Sequence, residues 1–567
     1  MIIERKAWAF LDEYRGKDFN GEWPTLPEMY RITVKRHGER ACFTVFEPDR
    51  ISLNYNEALK VIQAVARWLH SKGIRKGDKV AVTGKNSPEW AVAYLGILFV
   101  GATVVPIDYQ LRNEETELLL KASHSKILFV DEEKYAHFSE NPNGLKEIIS
   151  LHNGTGTFVY TLDGPEAQIE EASENDLAAI LFTSGTTGRP KGVMLTHQNL
   201  VSDSYLGQGN LDVLHTDVFY ALLPIHHAYC MLAVFIEAIS TGAEIVFGKK
   251  MVTPVMLKEL REGKITMLLG VPLLFNKLLA GILRGVKAKG KLVYGIISFL
   301  MMVSGFIKKA FGVNPGKKIF HSVLDKASLS TIRVCICGGG PLAPSIFRKF
   351  NQLGIDFVQG YGLTETSPII ALNPIEHYKE TSVGRVLPRM DMKILDPDER
   401  GVGEVIVKGP MVMKGYFEMP EETAEVFTPD GYLKTGDLGY MDSENYLYLT
   451  GRAKNIIVTE GGKNIYPEEV ENHFQLFYEV IEQVMIRGFM LDENLKSEGI
   501  EALVYPNPEL KGEGGQSLSQ EEISKKVEAI VSEVNMRLPP YEKINRTIIL
   551  DKPMEMTTTK KIKRNTV

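Results

Sequence analysis

Leu181-Phe182-Thr183-Ser184-Gly185-Thr186-Thr187-Gly188-Arg189-Pro190-Lys191-Gly192 is the densest local signal in the chain. The apolar run Leu177 to Phe182 predicts a strand entering a loop of hydroxyls, glycines and cations. That mixture suits polyphosphate, which backbone N–H groups and side-chain donors can wrap. The spacing excludes a Walker loop, which needs four residues between its glycines and then Gly-Lys-Ser/Thr opening a helix. Here only two residues separate Gly185 from Gly188, and Lys191 leads into Gly192-Val193-Met194-Leu195, which predicts a second strand. The loop therefore joins two strands.

Around this loop lies a chain of ordinary globular composition. Its 567 residues carry 65 Lys and Arg against 71 Asp and Glu, a formal net charge of −6, with 44% hydrophobic residues. Disorder, collagen and coiled coil are excluded, and the length predicts roughly three to five folding units with room for a cleft between them. The near-neutral balance argues against nucleic acid as a partner, since dedicated binders carry a basic excess. Cys42, Cys230, Cys335 and Cys337 are too few and too scattered for a disulfide framework or a zinc module. Cys335 and Cys337 read as residues on one face of a strand. The opening MIIERKAWAFLDEY places charges where a signal peptide needs an unbroken apolar core. A reducing, cytoplasmic setting is the expectation.

Runs such as Lys79-Val80-Ala81-Val82 and Thr331 to Ile336 alternate with helical patterns such as Glu57 to Ser71. That alternation predicts an α/β fold of layered, largely parallel sheets. Short strands between Gly, Pro and Asp turns over about 388–450 predict a small β-rich subdomain, and a further α+β unit follows. Trp90 to Ile107 is uncharged over a length near a membrane span, but Gly101 predicts a core helix stopping before a buried strand. Leu292 to Ile307 is apolar and short for a span. Arg284, Lys287, Lys289 and Lys291 precede it, Lys308, Lys309, Lys317 and Lys318 follow, and no acidic residue falls between Gly281 and Phe320. It reads either as a core helix with a solvated basic rim or as an interfacial segment, through 284–318, of a protein peripheral to the inner face of a membrane.

The opening loop resembles Ser/Thr-Ser-Gly-Thr-Thr-Gly-x-Pro-Lys-Gly, the signature of the adenylate-forming superfamily, which includes acyl-CoA synthetases, peptide-synthetase adenylation domains and luciferases. Further motifs follow in family order. Gln359-Gly360-Tyr361-Gly362-Leu363-Thr364-Glu365 resembles the Tyr-Gly-x-Thr-Glu element, although alone it would read as a strand end with a capping Thr. Cys337-Gly338-Gly339-Gly340 resembles the strand and turn packed along the purine, and Thr435-Gly436-Asp437 the segment whose Asp accepts the ribose hydroxyls. Gly451-Arg452-Ala453-Lys454 resembles the junction ahead of the small domain. Gly461-Gly462-Lys463-Asn464-Ile465-Tyr466-Pro467-Glu468-Glu469-Val470-Glu471 resembles the loop and strand that swing towards the site. Leu223-Pro224-Ile225-His226-His227 resembles the element near the carboxylate pocket, with His227 in the family histidine's place; a metal reading of His226, His227 and Cys230 lacks a second ligand cluster. Thr557 to Arg564 aligns with Thr-x-Ser-Gly-Lys-Ile-x-Arg, but Lys560 replaces the glycine before Lys561, a departure that makes Lys560 a rival for its role and looks more like the long-chain fatty acyl-CoA synthetases than like short-chain or aryl-acid ligases.

The resemblance implies an adenylation domain over 1–453, a mobile C-terminal domain over 454–567 and a hinge at Lys454. It implies ATP, Mg²⁺ and coenzyme A as reactants, with a fatty carboxylate, and leaves open whether the chain forms a homo-oligomer. Thr183, Ser184, Gly185, Thr186, Thr187, Gly188 and Lys191 would hold phosphates, and Thr183 and Glu365 the metal. Gly338, Gly339, Gly340, Gln359, Gly360, Tyr361 and Gly362 would border adenine, and the Thr364 hydroxyl would reach phosphate. Asp437 and Arg452 would hold the ribose, Gly461 and Gly462 would face CoA, and Lys561 would be catalytic with Glu365, Thr183 and His227. Alternatives are an acyl-AMP ligase loading a carrier-protein pantetheine, a CoA ligase for an aryl or short-chain acid, a luciferase-like oxidase, and a non-enzymatic sensor.

Overall fold

The computed structural model describes residues 6–183, 189–248, 252–458, 464–492, 497–512, 516–556 and 562–564. Two large sheets organise everything up to Arg452. A seven-stranded sheet runs, edge to edge, Gly415–Tyr416, Lys191–Thr196, Leu177–Thr183, Thr103–Ile107, Lys79–Thr83, Ile127–Val130 and Glu147–Ser150. The strand pair expected around the opening loop is present and antiparallel, with Thr183 opposite Lys191.

The second sheet has 13 strands. Its parallel half is ordered Asp356–Gly362, Val334–Cys337, Met267–Gly270, Val218–Ala221, Glu244–Phe247 and Ala41–Val45. An antiparallel limb, including Asp391–Leu395, Gly403–Lys408, Leu433–Met441 and Tyr446–Arg452, joins it through Gly384–Val386 and Ile369–Leu372. One buried cluster draws on both sheets, through Val80, Val104, Phe219 and Ile245, and on the helices Leu26–His37, Tyr55–Ser71 and Pro88–Phe99. The uncharged stretch from Trp90 accordingly forms a core helix and then the buried strand Thr103–Ile107. Gly101 between them has φ +77°, and a Cβ there would come within 2.9 Å of the Glu170 carbonyl, so glycine is required.

At the amino ends of three neighbouring parallel strands one carboxylate gathers the chain. Asp217, Thr266 and Arg333 each stand immediately before a strand. Asp217 accepts from Thr266 Oγ1 at 2.7 Å, from Arg333 Nε at 3.1 Å and Nη2 at 2.5 Å, and from the Leu214 amide at 2.8 Å. The strand order also reverses here. After Val218–Ala221 the chain places Glu244–Phe247 on one side of it and Met267–Gly270 on the other. Such a switch point opens a crevice beyond the carboxyl ends of the strands.

The segment Lys291–Phe311 is a 21-residue helix, but the core-helix reading is wrong: only Met301, Ser304 and Lys308 along it are buried. Beyond Arg452 a separate core forms from the sheet Ile481–Asp492, Ser497–Pro506, Arg546–Ile549 and the helix Gln520–Arg537, with Ile486, Ala502, Val504, Val527 and Val531 at its centre. Within the segment expected to be loop and strand, Asn464–Ile465 is a short strand, whereas Pro467–Asn472 is a helix, started by proline at its first position.

Removing one partner of the Asp217 clamp strands the other. Asp217→Ala is expected to lower stability by about 3 kcal/mol, the low end for a buried pair because Arg333 keeps some solvent; urea titration followed by tryptophan fluorescence measures it.

Candidate active site

Beyond the carboxyl end of Val218–Ala221 the chain continues as Leu222 to His227, and a residue that follows a strand of the other sheet fixes that segment. Asn86, buried just beyond Lys79–Thr83, donates to the carbonyls of Ala221 and Leu223, both at 2.8 Å, and accepts from the Ile225 amide at 3.0 Å. Nothing in the sequence reading singled Asn86 out. The His227 backbone opens the short helix Ala228–Cys230, its amide donating to Pro224 O at 3.2 Å. Its neighbour His226 is the more buried of the two and lies 3.5 Å from Asp108 Oδ1. Among the described residues no three His, Cys, Asp or Glu side chains form a metal-holding group, and Cys230 is a buried thiol whose pKa burial pushes up.

Gly338 follows Val334–Cys337 and donates to the Gly270 carbonyl at 3.1 Å. A Cβ on Gly338 would sit 2.9 Å from the Tyr229 ring, and Tyr229 in turn donates to Ile336 O at 3.0 Å. The aromatic face lying against Gly338 is thus the protein's own. Gly339 has φ +77°, whereas Gly340 leaves room for a side chain.

The strand Asp356–Gly362 leaves its parallel partner after Gln359 and pairs antiparallel with Ile369–Leu372, Tyr361 opposite Ala371. A Cβ on Gly362 would fall 1.5 Å from Pro368 O, so only glycine allows this tight return. The turn Thr364–Thr366 closes it and presents Glu365. Glu365 accepts from Tyr416 Oη at 3.0 Å, and its own carbonyl accepts from the Met413 amide at 2.9 Å. Lys191 Nζ lies 4.8 Å from the centroid of the same Tyr416 ring, and Thr183 Oγ1 reaches the Lys191 carbonyl at 3.4 Å. Tyr416, a residue with no motif of its own, therefore links Lys191 to Glu365, and Thr183 joins them through its pairing with Lys191. Tyr416 is placed by Asn199, which donates to the carbonyls of Pro410 at 2.7 Å and Val412 at 3.0 Å, so that Tyr416 pairs with Val193. Burial and the Glu365 charge raise the Tyr416 phenol above its usual pKa.

A second cluster links three of the motif residues directly. Tyr361 Oη donates to Asp437 Oδ2 at 2.6 Å, and Arg452 Nε lies 2.7 Å from Asp437 Oδ1. Asp437 is only 5% exposed, its amide donating to Thr435 Oγ1 at 3.1 Å, while Gly436 adopts φ +71°. Burial, reinforced by Asp437, holds the Tyr361 phenol well above its normal pKa. Lys454, two residues beyond Arg452, has its amine lowered by burial and by the Arg452 charge.

The small C-terminal core touches this edge through Gln475, which donates to the Pro341 carbonyl at 2.9 Å, and through Tyr466, packed on Val402 and Leu438. Asn455 donates to Glu468 Oε1 at 2.5 Å. Arg564 reaches the same oxygen at 3.5 Å and Glu471 at 2.5 Å. Ser184, Gly185, Thr186, Thr187, Gly188, Gly461, Gly462, Lys560 and Lys561 lie outside the described residues.

Asn86→Ala leaves the buried Leu223 carbonyl and Ile225 amide without this partner, whereas the Ala221 carbonyl keeps the Gly248 amide at 3.1 Å. Each stranded group is expected to cost about 1–3 kcal/mol, read from the same urea titration, with Asn86→Asp no milder, because it sets a buried carboxylate oxygen against the Ala221 and Leu223 carbonyls.

Comparison with known proteins gives the family. The AMP-binding enzyme family model matches residues 30–417, and that of the AMP-binding enzyme C-terminal domain matches residues 454–567. The long-chain-fatty-acid–CoA ligase of Bacillus subtilis (strain 168) is 29% identical over 548 residues, covering 88% of this chain and 89% of the relative. A feruloyl-CoA synthase of an Amycolatopsis species is 27% identical over 474 residues, covering 80% and 82%. The crystal structure of the anthranilate CoA ligase AuaEII in complex with anthranoyl-AMP shares the fold, with TM-score 0.78 at 18% identity over 96% of this chain and 97% of that one. With most of its length matched by that family model, the chain belongs to the AMP-binding enzyme family, the adenylate-forming enzymes, and is an AMP-forming acid–thiol ligase.

Proposed function

We propose that the chain joins a medium- to long-chain fatty carboxylic acid to coenzyme A through an acyl-adenylate. The observation that carries this reading is the pairing of two clusters, Lys191–Tyr416–Glu365 and Tyr361–Asp437–Arg452, at the carboxyl edge of the sheets. One has the charges to manage phosphates and the other the buried carboxylate to bind two ribose hydroxyls. The Bacillus fatty-acid relative favours an aliphatic acid; the feruloyl-CoA synthase keeps an aryl acid as the second reading.

In the first step a carboxylate oxygen attacks the α-phosphorus of ATP in line; an O–P bond forms, and pyrophosphate leaves with the electrons of the bond that breaks. No protein nucleophile is needed, because positioning and charge neutralisation carry such a transfer. Lys191 and the donors of 183–188 hold the outer phosphates. Tyr361 borders adenine, and Asp437 and Arg452 fix the ribose. Glu365 is a lone carboxylate held by one phenol, a fit for Mg²⁺, which takes one or two protein oxygens beside phosphate and water. When bound, the ion supplies further charge neutralisation on the phosphates. Lys561 offsets the repulsion of the two approaching anions. In the second step the small domain turns about Lys454, Gly461 and Gly462 face the site, and the CoA thiol attacks the acyl carbon, releasing AMP.

Pyrophosphate release measured across acids from acetate to oleate, with benzoate and ferulate, is expected to peak among the longer aliphatic acids; a maximum at an aryl acid overturns the fatty-acid reading. Running both CoA and a carrier-protein pantetheine as acceptors identifies the thiol. Asp437→Ala should raise the ATP KM, since two charge-assisted bonds of roughly 1.5–3 kcal/mol each are lost from ground and transition states alike. Lys561→Ala should suppress pyrophosphate release about a hundredfold or more yet still convert supplied acyl-AMP and CoA to thioester, and Gly462→Leu the reverse. Loss of both half-reactions in Lys561→Ala would contradict alternation.

A further inference from the structure

We propose that the outer face of the helix Lys291–Phe311 docks on an anionic lipid bilayer, lying flat in its interface. The helix belongs to an excursion between the strands Met267–Gly270 and Val334–Cys337, and only one stripe of it touches the domain. Met301, Ser304 and Lys308 point inward, where Lys308 Nζ donates to Asn351 Oδ1 and Asp356 Oδ1, each at 2.6 Å. The opposite stripe is apolar and open: Leu292 is 78% exposed, Ile296 52%, Phe299 59%, Met302 57% and Phe306 67%. Steps of three and four residues put these five on one helical face, and Phe311 and Val313 extend it. Water-facing patches of this kind mark a binding surface.

Charge selects the occupant. Arg284, Lys287, Lys289, Lys291, Lys309 and Lys318 are exposed around the apolar stripe, and no acidic residue falls between Gly281 and Phe320. A second copy, docked by the same face, would set these cations against one another. A bilayer surface bearing anionic headgroups meets both parts, the apolar face at the acyl boundary and the cations among phosphates. Lys308, counted among the flanking cations from sequence alone, is not one of them, because it is committed to Asp356. That commitment also argues against a span, although the helix is long and apolar enough: crossing a bilayer would pull Met301, Ser304 and Lys308 out of the domain. The inference does not depend on which acid the enzyme ligates.

Co-sedimentation tests it, using vesicles of equal parts phosphatidylcholine and phosphatidylglycerol against vesicles of phosphatidylcholine alone. The parent chain should bind the anionic vesicles preferentially and be released by salt. I296S/F299S/F306S should weaken binding about tenfold or more, and K287Q/K289Q/K291Q/K309Q by about fivefold for each charge removed, with melting curves unchanged because all these side chains are exposed. F299W should show a blue-shifted emission on binding. Absence of sedimentation by the parent, or equal sedimentation by parent and variants, overturns the proposal. So does a dimer in light scattering that the triple variant abolishes while the parent ignores vesicles, for then a second copy covers the face.

Discussion

Everything at the open edge of this molecule depends on Asp217 closing the other edge. Side chains at the amino ends of three adjacent strands converge on that carboxylate, which Thr266 Oγ1 and Arg333 meet from neighbouring strands. Pinned there, the strands share fixed amino ends, and at their carboxyl ends, beyond the point where the order reverses, the chain leaves the sheet in loops. Loops above a pinned sheet can carry reactive groups without costing the core its packing. The chemistry therefore collects on one side, and Asn86 bridges from the second sheet to keep that side from spreading.

Much of this was legible beforehand. The hairpin around Thr183 and Lys191 announced itself through an apolar run, a glycine-rich loop and a second apolar run. Glycines with no room for a side chain, such as Gly362, lay within quoted motifs. The layered α/β fold followed from alternating periodicities. Asn86, Tyr416 and Asp217 left no such trace, because each works on backbone or side chains brought close only by folding: Asn86 acts on residues from Ala221 onwards, and Tyr416 on Glu365 and Lys191. Periodicity does not encode such pairings. The helix Lys291–Phe311 shows the limit in the other sense. Its composition was clear, but which stripe faced the domain depended on Asp356, a partner well outside the segment.

The two clusters at the site differ in kind. Lys191, Tyr416 and Glu365 come from the seven-stranded sheet and the turn after Gly362, so they sit where separate elements meet. Tyr361, Asp437 and Arg452 sit on strands of one sheet, with Asp437 directly opposite Arg452 in register. The first can adjust as its elements shift, whereas the second is as stiff as the sheet. A nucleoside recognised by the stiff cluster would be held in place while phosphates are handled by the adjustable one.

Glu468 gives the small domain a mechanical property. Its carboxylate holds Asn455, next to the residue about which the small domain is proposed to turn, and Arg564, near the end of the chain. Arg564 also keeps Glu471 and the Ile486 carbonyl. Asn455, Glu468 and Arg564 all lie beyond Lys454, so these bonds travel with the small domain, and a turn has to release instead the Gln475 hydrogen bond to Pro341 and the packing of Tyr466 on Val402 and Leu438. The arrangement works like a splice in a crank arm: it ties the first residue beyond the pivot to the far end of the chain, so that both ends of the domain are carried around together.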